Sequence, residues 1–247
     1  MAVSTHTSKV FDQELRNLRD RVHLMGSLVE EMIAKGAAAL SARDTALALA
    51  TMRIDYRINR LEREVDELAL CTLARRQPVA SDLRYITAAL KIVGYLKRIG
   101  DLCVNICESV IELNKDPPLP PVSDLSNFAN QVITQVHDAL DTLVTREVDQ
   151  TKALLDRAAA IDDQYGQVLC QVVDLRAREP CATYQTTRVQ AIAKCLARIA
   201  DHAISISETV AFMVNGTDIR HYRSREVDSA SRASRTLESA IADEHHR

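Results

Sequence analysis

The chain of 247 residues is 47% apolar but only 4% aromatic, contains no Trp, and carries a formal net charge of −3. This near-neutral balance gives no overall basic field, so a nucleic-acid partner is excluded. No apolar run approaches the roughly 20 residues that a membrane-spanning helix needs, and the polar N-terminus lacks the apolar core of a signal peptide. We therefore expect a cytoplasmic protein.

Long stretches without proline, rich in Ala, Leu and charged residues, predict six long helices. Asp44, Ser81 and Ser123 each have a side-chain oxygen that can cap a helix N-terminus. Asn215-Gly216 is a typical left-handed helix end. In chain order, the predicted helices lie at about residues 9–42, 44–76, 82–114, 124–145, 147–178 and 184–215.

Prolines divide the chain into two similar halves. Four of the six prolines lie in the stretch KDPPLPPVSD, and Pro78 and Pro180 mark equivalent loops about one hundred residues apart. Short loops between long helices favour antiparallel neighbours. We therefore predict an all-α fold of two tandem three-helix bundles, with six long antiparallel helices related by internal duplication. The predicted boundaries are 1–116 for the first bundle, 117–123 for a proline-rich linker, 124–221 for the second bundle and 222–247 for a polar, flexible tail.

The third and sixth predicted helices repeat one another in sequence. Tyr95–Val110 reads YLKRIGDLCVNICESV, and Cys195–Val210 reads CLARIADHAISISETV. The apolar matches recur at steps of three and four, so the packing of a bundle core explains them. The charged matches need another reason, because a bundle can be built without an acid at the positions of Asp101 and Asp201.

Polar stripes run beside the apolar positions, and two interpretations of them stay open. One is a solvated helix face with ion pairs between neighbours, such as Arg98 with Asp101. The other is that carboxylates of adjacent helices converge and hold a hard cation, namely Mg²⁺, Ca²⁺, Mn²⁺ or iron. The candidate metal ligands are Asp55, Asn59, Glu62, Asp66, Asp101, Asp162, Asp163 and Asp201.

Other polar residues are candidates for partner contacts, each with a structural alternative. Asp82 can equally complement the N-terminal dipole of the third helix. Arginines such as Arg84 can bind phosphate or partner carboxylates, although they more often tie helices together. His202 is a possible ligand, but a leucine at the repeat position favours packing. The candidate partner-binding residues are Asp82, Arg84, Arg98, Asn105, Glu108, Arg198 and Glu208.

No Gly-rich phosphate loop, nucleophile elbow or HExxH motif occurs, so no enzyme is predicted.

Three motifs carry a resemblance to a known family. They are RQPVASDLRYITAALKIVGYLKRIGDLCVNI (Arg76–Ile106), the duplicated RI[GA]D, and FMVNGTDIRH (Phe212–His221). Together, over about residues 8–221, they closely resemble the PhoU family of bacterial phosphate-transport regulators. The resemblance implies two tandem three-helix bundles, frequent homodimers and a cytoplasmic location. It also implies negative regulation of the phosphate-starvation (Pho) response, by contact with the ATPase or membrane subunits of a phosphate ABC transporter and with its sensor histidine kinase.

Members of the family resembled carry a metal motif, an acid-xxx-Asp pair on neighbouring helices. This sequence retains only part of that motif. Glu62 and Asp66 form an intact pair on the second helix. On the third helix, Lys97 stands where a typical member has a glutamate, four residues before Asp101, and its second-half counterpart is Ala197. We therefore expect that no cofactor is required. The alternative is a bound divalent cation or iron and, with it, a metal-storage or metal-sensing function.

Overall fold

The structure, a computed structural model, describes residues 3–120, 123–147 and 149–216. Over these ranges all regular elements are helical, including a short 3-10 helix at Pro180–Ala182, which confirms the predicted all-α fold. In the same ranges, no helix combines the length and apolar character that crossing a bilayer requires. The predicted tail at 222–247 lies outside the described residues. The α-helices are α1 (Val3–Ala42), α2 (Thr45–Met52), α3 (Asp55–Arg76), α4 (Ala80–Leu113), α5 (Ser123–Thr145), α6 (Asp149–Arg178) and α7 (Thr183–Asn215).

A tight turn divides the second predicted helix into α2 and α3. The amide of Ile54 donates to the carbonyl oxygen of Thr51 at 3.0 Å, and the amide of Arg57 donates to that of Ile54 at 2.9 Å. These bonds span three residues instead of four, as in a 3-10 turn. Arg53 and Ile54 keep helical backbone angles, so the helix tightens here and continues.

The helix ends agree with two of the predicted caps. The Asp44 side chain accepts a hydrogen bond from the backbone amide three residues further on, at 2.9 Å. Gly216, with φ of 71°, ends α7 in the left-handed conformation. The prediction for Ser81 is wrong: α4 begins at Ala80, so Ser81 lies inside the first turn. The side chain of Ser123 is outside what the structure describes.

The two halves pack into one body with a shared core. In the first half, α1, α3 and α4 pack together and α2 covers α1 and α4, while α5, α6 and α7 pack together in the second. The most extensive contact between two helices joins α4 to α7 across the halves. Buried side chains of both halves form one continuous hydrophobic cluster. The predicted three-helix groups are present as α1, α3 and α4 and as α5, α6 and α7. The last helix of each group, α4 and α7, joins the two groups.

A second contact between the halves is formed by α1 and α5. A Cβ added to Gly26 would lie only 3.1 Å from Cδ2 of Leu140, so the two helices approach closely there. Further along, Nδ1 of His137 lies 2.8 Å from Oε1 of Glu30, and its Nε2 lies 3.6 Å from Oδ2 of Asp141. The α1–α5 contact therefore contains a titratable group.

The beginning of the proline-rich linker is fixed by hydrogen bonds to both halves. Arg43, in the turn after α1, donates to the carbonyl oxygens of Leu113 at 2.9 Å and Asp116 at 2.6 Å. Gln185, on α7, donates to the carbonyl oxygen of Pro117 at 2.9 Å. The chain therefore leaves α4 in a fixed direction.

Candidate functional site

A compact charged cluster lies between α3 and α4. Lys97 reaches from α4 to Asp55 on α3, with 3.1 Å between Nζ and Oδ1, and also donates to Oδ1 of Asp101 one turn along α4. Asn59 donates its side-chain amide to the other oxygen of Asp55 at 2.6 Å. The side chains of Asp55 and Lys97 are 19% and 17% exposed, whereas that of Asp101 is 56% exposed. A shielded ammonium thus joins a shielded carboxylate to an exposed one.

The close approach of α3 and α4 positions this cluster. A Cβ added to Gly100 would lie 3.3 Å from Cδ1 of Ile58 and 3.5 Å from Oδ1 of Asp55. The missing side chain at Gly100 therefore leaves room for the Asp55 carboxylate beside α4. The hydrogen bond from Lys97 to Asp55, which joins the two helices, depends on that spacing.

Glu62 belongs to the same cluster through its electrostatics. Burial raises the pKa of its carboxyl group, and Lys97 partly opposes this. The nearby carboxylates of Asp66, Asp101 and Asp55 add to the rise, so the pKa of Glu62 lies above its ordinary value. The structure therefore brings together most of the first-half metal candidates, with Asp66 at the exposed edge.

The residues of this cluster do not fit a metal ion. Burial lowers the pKa of Lys97, but its hydrogen bonds to Asp101 and Asp55 outweigh that effect, and the net shift is upward. The ammonium is therefore charged at neutral pH and lies between the carboxylates that would ligate a cation. Within the described ranges, no group of three or more His, Cys, Asp or Glu side chains is arranged to hold a metal.

The second half does not reproduce the cluster. Ala197 stands at the position equivalent to Lys97 and offers no charge. Asp162 and Asp163 lie exposed on α6, and Asp201 lies exposed on α7. The duplication therefore preserves the acid on α4 and α7, whereas a lysine one turn before it occurs in the first half only.

A second polar feature lies at the α4–α7 contact. The rings of Tyr95 and His202 stack with centroids 6.0 Å apart. Nε2 of His202 is buried, with no hydrogen-bond partner among the described residues. Burial lowers the pKa of His202, and the guanidinium groups of Arg98 and Arg198 lower it further, so the ring is neutral at pH 7. This agrees with the packing alternative for His202.

The predicted partner-binding residues lie in different environments: at a contact between the halves, at a helix N-terminus and on exposed helix faces. Nε of Arg84 lies 3.5 Å from the carbonyl oxygen of Met213 near the end of α7, which is a structural contact between the halves. Asp82 lies in the first turn of α4, where its charge complements the helix dipole. Arg98, Asn105 and Glu108 are exposed on α4, Arg198 is exposed on α7, and Glu208 is half-buried there.

Sequence reasoning missed the partner of His202. Tyr95 and His202 both lie where the two halves differ, because Cys195 and Leu102 occupy the equivalent positions. These two differences between the repeats could have indicated that Tyr95 and His202 contact each other. The contact between Asp55 and Lys97 had no such signal.

Comparison with known proteins shows similarity along most of the chain. The family model described as "PhoU domain" matches twice, at residues 22–110 and 125–210. A "Phosphate-specific transport system accessory protein PhoU homolog" of Pseudomonas putida is 35% identical over 221 residues, which is 89% of this chain and 86% of the relative. A homolog of the same name from Pseudomonas aeruginosa is 34% identical over 89% of this chain and 91% of its own length. The crystal structure of PhoU from Pseudomonas aeruginosa is 33% identical, superposes with a TM-score of 0.81, and covers 84% of this chain and 100% of that one.

Proposed function

The chain belongs to the PhoU family, and from this premise we propose that it is a negative regulator of the phosphate-starvation response. A PhoU chain is an accessory protein associated with phosphate transport and is not an enzyme. The proposed regulator is cytoplasmic and acts as an adaptor. It contacts the high-affinity phosphate ABC transporter and the sensor histidine kinase, and it modulates phosphate uptake.

The observation that carries this proposal is the match to the PhoU domain in both halves. The relatives that share this arrangement are named as accessory proteins of the phosphate-specific transport system. An adaptor needs exposed contact residues more than a catalytic pocket. The repeated charged positions on α4 and α7 supply such residues without contributing to the core.

The charged repeat is the part of the surface that we assign to this regulation. Arg98 and Asp101 are exposed on α4, and Arg198 and Asp201 are exposed on α7. These two helices also form the main contact between the halves. A partner that bound both stripes would therefore contact both halves of the protein.

The test is complementation in a strain that lacks this gene, with a phosphate-starvation reporter measured in phosphate-rich medium. The wild-type chain should restore repression, and Asp101→Ala combined with Asp201→Ala should leave the reporter derepressed. Lys97 keeps its bond to Asp55 in this variant, and the two carboxylates removed are themselves exposed, so each should contribute only about 0–1 kcal/mol to stability.

The matched control is Asp174→Ala combined with Glu179→Ala, which removes two exposed acids away from the repeat. It should repress like the wild type. If the wild-type chain does not restore repression, the proposed function is wrong. If the wild-type chain and the Asp101/Asp201 variant both repress normally, the function stands and the charged repeat is not its contact surface.

A further inference from the structure

The outer side of α3 and of the turn before it carries a basic surface that the charged repeat does not include. Arg53, Arg57, Arg60 and Arg63 follow one another at steps of three or four and are all exposed, and Tyr56 among them is 78% exposed. We call these five residues the arginine face. At 1.5 Å per residue it extends for about 15 Å along the helix.

The charge of the arginine face is largely uncompensated within the described part of the chain. Arg53 and Arg57 form no ion pair there, and Arg63 donates only to the backbone oxygen of Asn59 at 3.3 Å. Arg60 lies 3.3 Å from Glu64, but that carboxylate also receives Arg21 from α1 at 3.2 Å. One acid thus serves two guanidinium groups, and the face keeps a net positive charge.

The acids of α3 neutralise this face only in part: Glu64 is shared between Arg60 and Arg21, and exposed Glu67, one turn after Arg63, forms no ion pair with it in the described part of the chain. Asp55 and Glu62 lie on the flank that meets α4, where Lys97 occupies the charged cluster. Exposed arginines at helical spacing bring no benefit to the core, and a solvated face ordinarily carries both signs in similar numbers. The excess positive charge of the arginine face therefore favours an acidic counterpart from outside.

We propose that the arginine face docks an acidic helical segment of a protein partner, and the proposal rests on the adaptor function proposed above. Guanidinium groups form bidentate hydrogen bonds with carboxylates, and Arg and Tyr are the residues that dominate protein contacts. A lipid surface fits less well. Among the five residues of the face, Tyr56 alone offers a large apolar surface to insert, and none is a lysine.

The experiment has two protein-binding arms at 150 mM salt, and phosphatidylglycerol vesicles serve as a separate lipid probe. The first uses a fluorescent helical peptide with Glu at every third or fourth position, and a matched peptide with Gln in place of Glu. The second uses the purified transporter ATPase and the cytoplasmic part of the kinase. Each arm compares the wild type, Arg53→Glu combined with Arg57→Glu, and Tyr56→Ala. The control is Arg178→Glu combined with Lys194→Glu, which changes the net charge equally through exposed residues of the second half.

We expect the arginine double variant to weaken binding to the Glu peptide, and to one of the two proteins, at least tenfold. Tyr56→Ala, which keeps the charge, should weaken binding about five-fold, and the control should stay within two-fold. Equal losses in the control, or unchanged binding in the double variant, overturn the proposal. So does arginine-dependent binding to phosphatidylglycerol vesicles in the absence of peptide binding.

The two proposals fail differently. If the wild type binds neither purified protein, the adaptor function fails, and the peptide arm alone decides the docking proposal. Peptide binding that depends on the arginine face and on Tyr56 then supports it, and the absence of such binding overturns it. Circular dichroism of each variant confirms that the helices are intact.

Discussion

At the scale of single residues, one ammonium group makes the α3–α4 cluster a contact between helices and not a metal site. Lys97 bonds to both Asp55 and Asp101, so a charge supplied by the chain itself lies among the carboxylates. The cluster is then a structural contact between two helices. Of the two carboxylates bonded to Lys97, Asp101 is the one exposed to solvent, and it is also the acid that the duplication repeats.

Replacing Lys97 tests this view. Lys97→Met should destabilise the protein by about 1–3 kcal/mol, because Asp55 is mostly shielded and would lose its counter-ion. Urea denaturation at pH 7 measures the change. Lys115→Met is the control, since Lys115 pairs with Glu112 but is 63% exposed. That control should change stability much less, and equal effects of the two variants would contradict the structural role of Lys97.

Contacts between residues far apart in the chain could not be predicted from the sequence. The spacing of Lys97 and Asp101 predicts a pair on one helix, whereas Asp55 is 42 residues away from Lys97 and on another helix. Arg84 was predicted as a candidate for phosphate or partner binding. Its contact with the carbonyl oxygen of Met213 spans 129 residues, and no periodicity indicates which helix end it reaches.

At the scale of elements, helical periodicity and proline positions predicted most helix boundaries within a few residues. The turn between α2 and α3 was missed because no Pro or Gly marks it. The tightened hydrogen bond from Ile54 to Thr51 produces it without a sequence signal. The start of α4 was misplaced for a related reason: Ser81 has good capping chemistry, but the extended residue Val79 precedes the helix instead.

The α1–α5 contact should respond to pH through His137. Its hydrogen bond to Glu30 raises the pKa of His137, and nearby Asp141 and Asp138 add to this, whereas burial opposes it. A raised pKa means that the stabilisation is complete below the unfolded value of about 6.5. It is lost as pH rises through the folded value.

We therefore expect His137→Gln to lower the melting temperature at pH 5.5–6 and to have a smaller effect at pH 8.5. The effect should be modest throughout, because the histidine side chain is 60% exposed and solvent screens the pair. Melting curves of both proteins across this pH range provide the measurement. A difference that does not vary with pH would show that His137 acts through packing alone.

At the scale of the whole molecule, α4 is buried on more than one side. Its buried positions include the consecutive pairs Ala88–Ala89, Ile92–Val93, Leu102–Cys103 and Ile106–Cys107. A helix that faced only its own bundle would bury a narrower stripe. These pairs were visible in the sequence and could have predicted that a second layer covers α4. They could not identify α7 as that layer.

Because of this shared core, we expect residues 1–116 expressed alone to lack a cooperative thermal transition and to bind a hydrophobic dye. The side of α4 that contacts α7 would be exposed to water in that fragment. Residues 117–221, supplied as a second chain, should restore cooperative melting. Calorimetry and dye binding measure both states, and a stably folded 1–116 fragment would contradict the expectation.

The anchored linker determines how the association of the halves depends on protein concentration. Within the first half the chain is held as far as Asp116, because the bond from Gln185 to Pro117 itself joins the two halves. Residues 117–122 therefore form the spacer before α5 begins. Six extended residues reach at most about 20 Å. A short tether of this kind gives the two halves a mutual effective concentration on the order of millimolar or above. In the intact chain, dilution therefore leaves the α4–α7 contact unchanged, whereas two separate halves would dissociate as they are diluted.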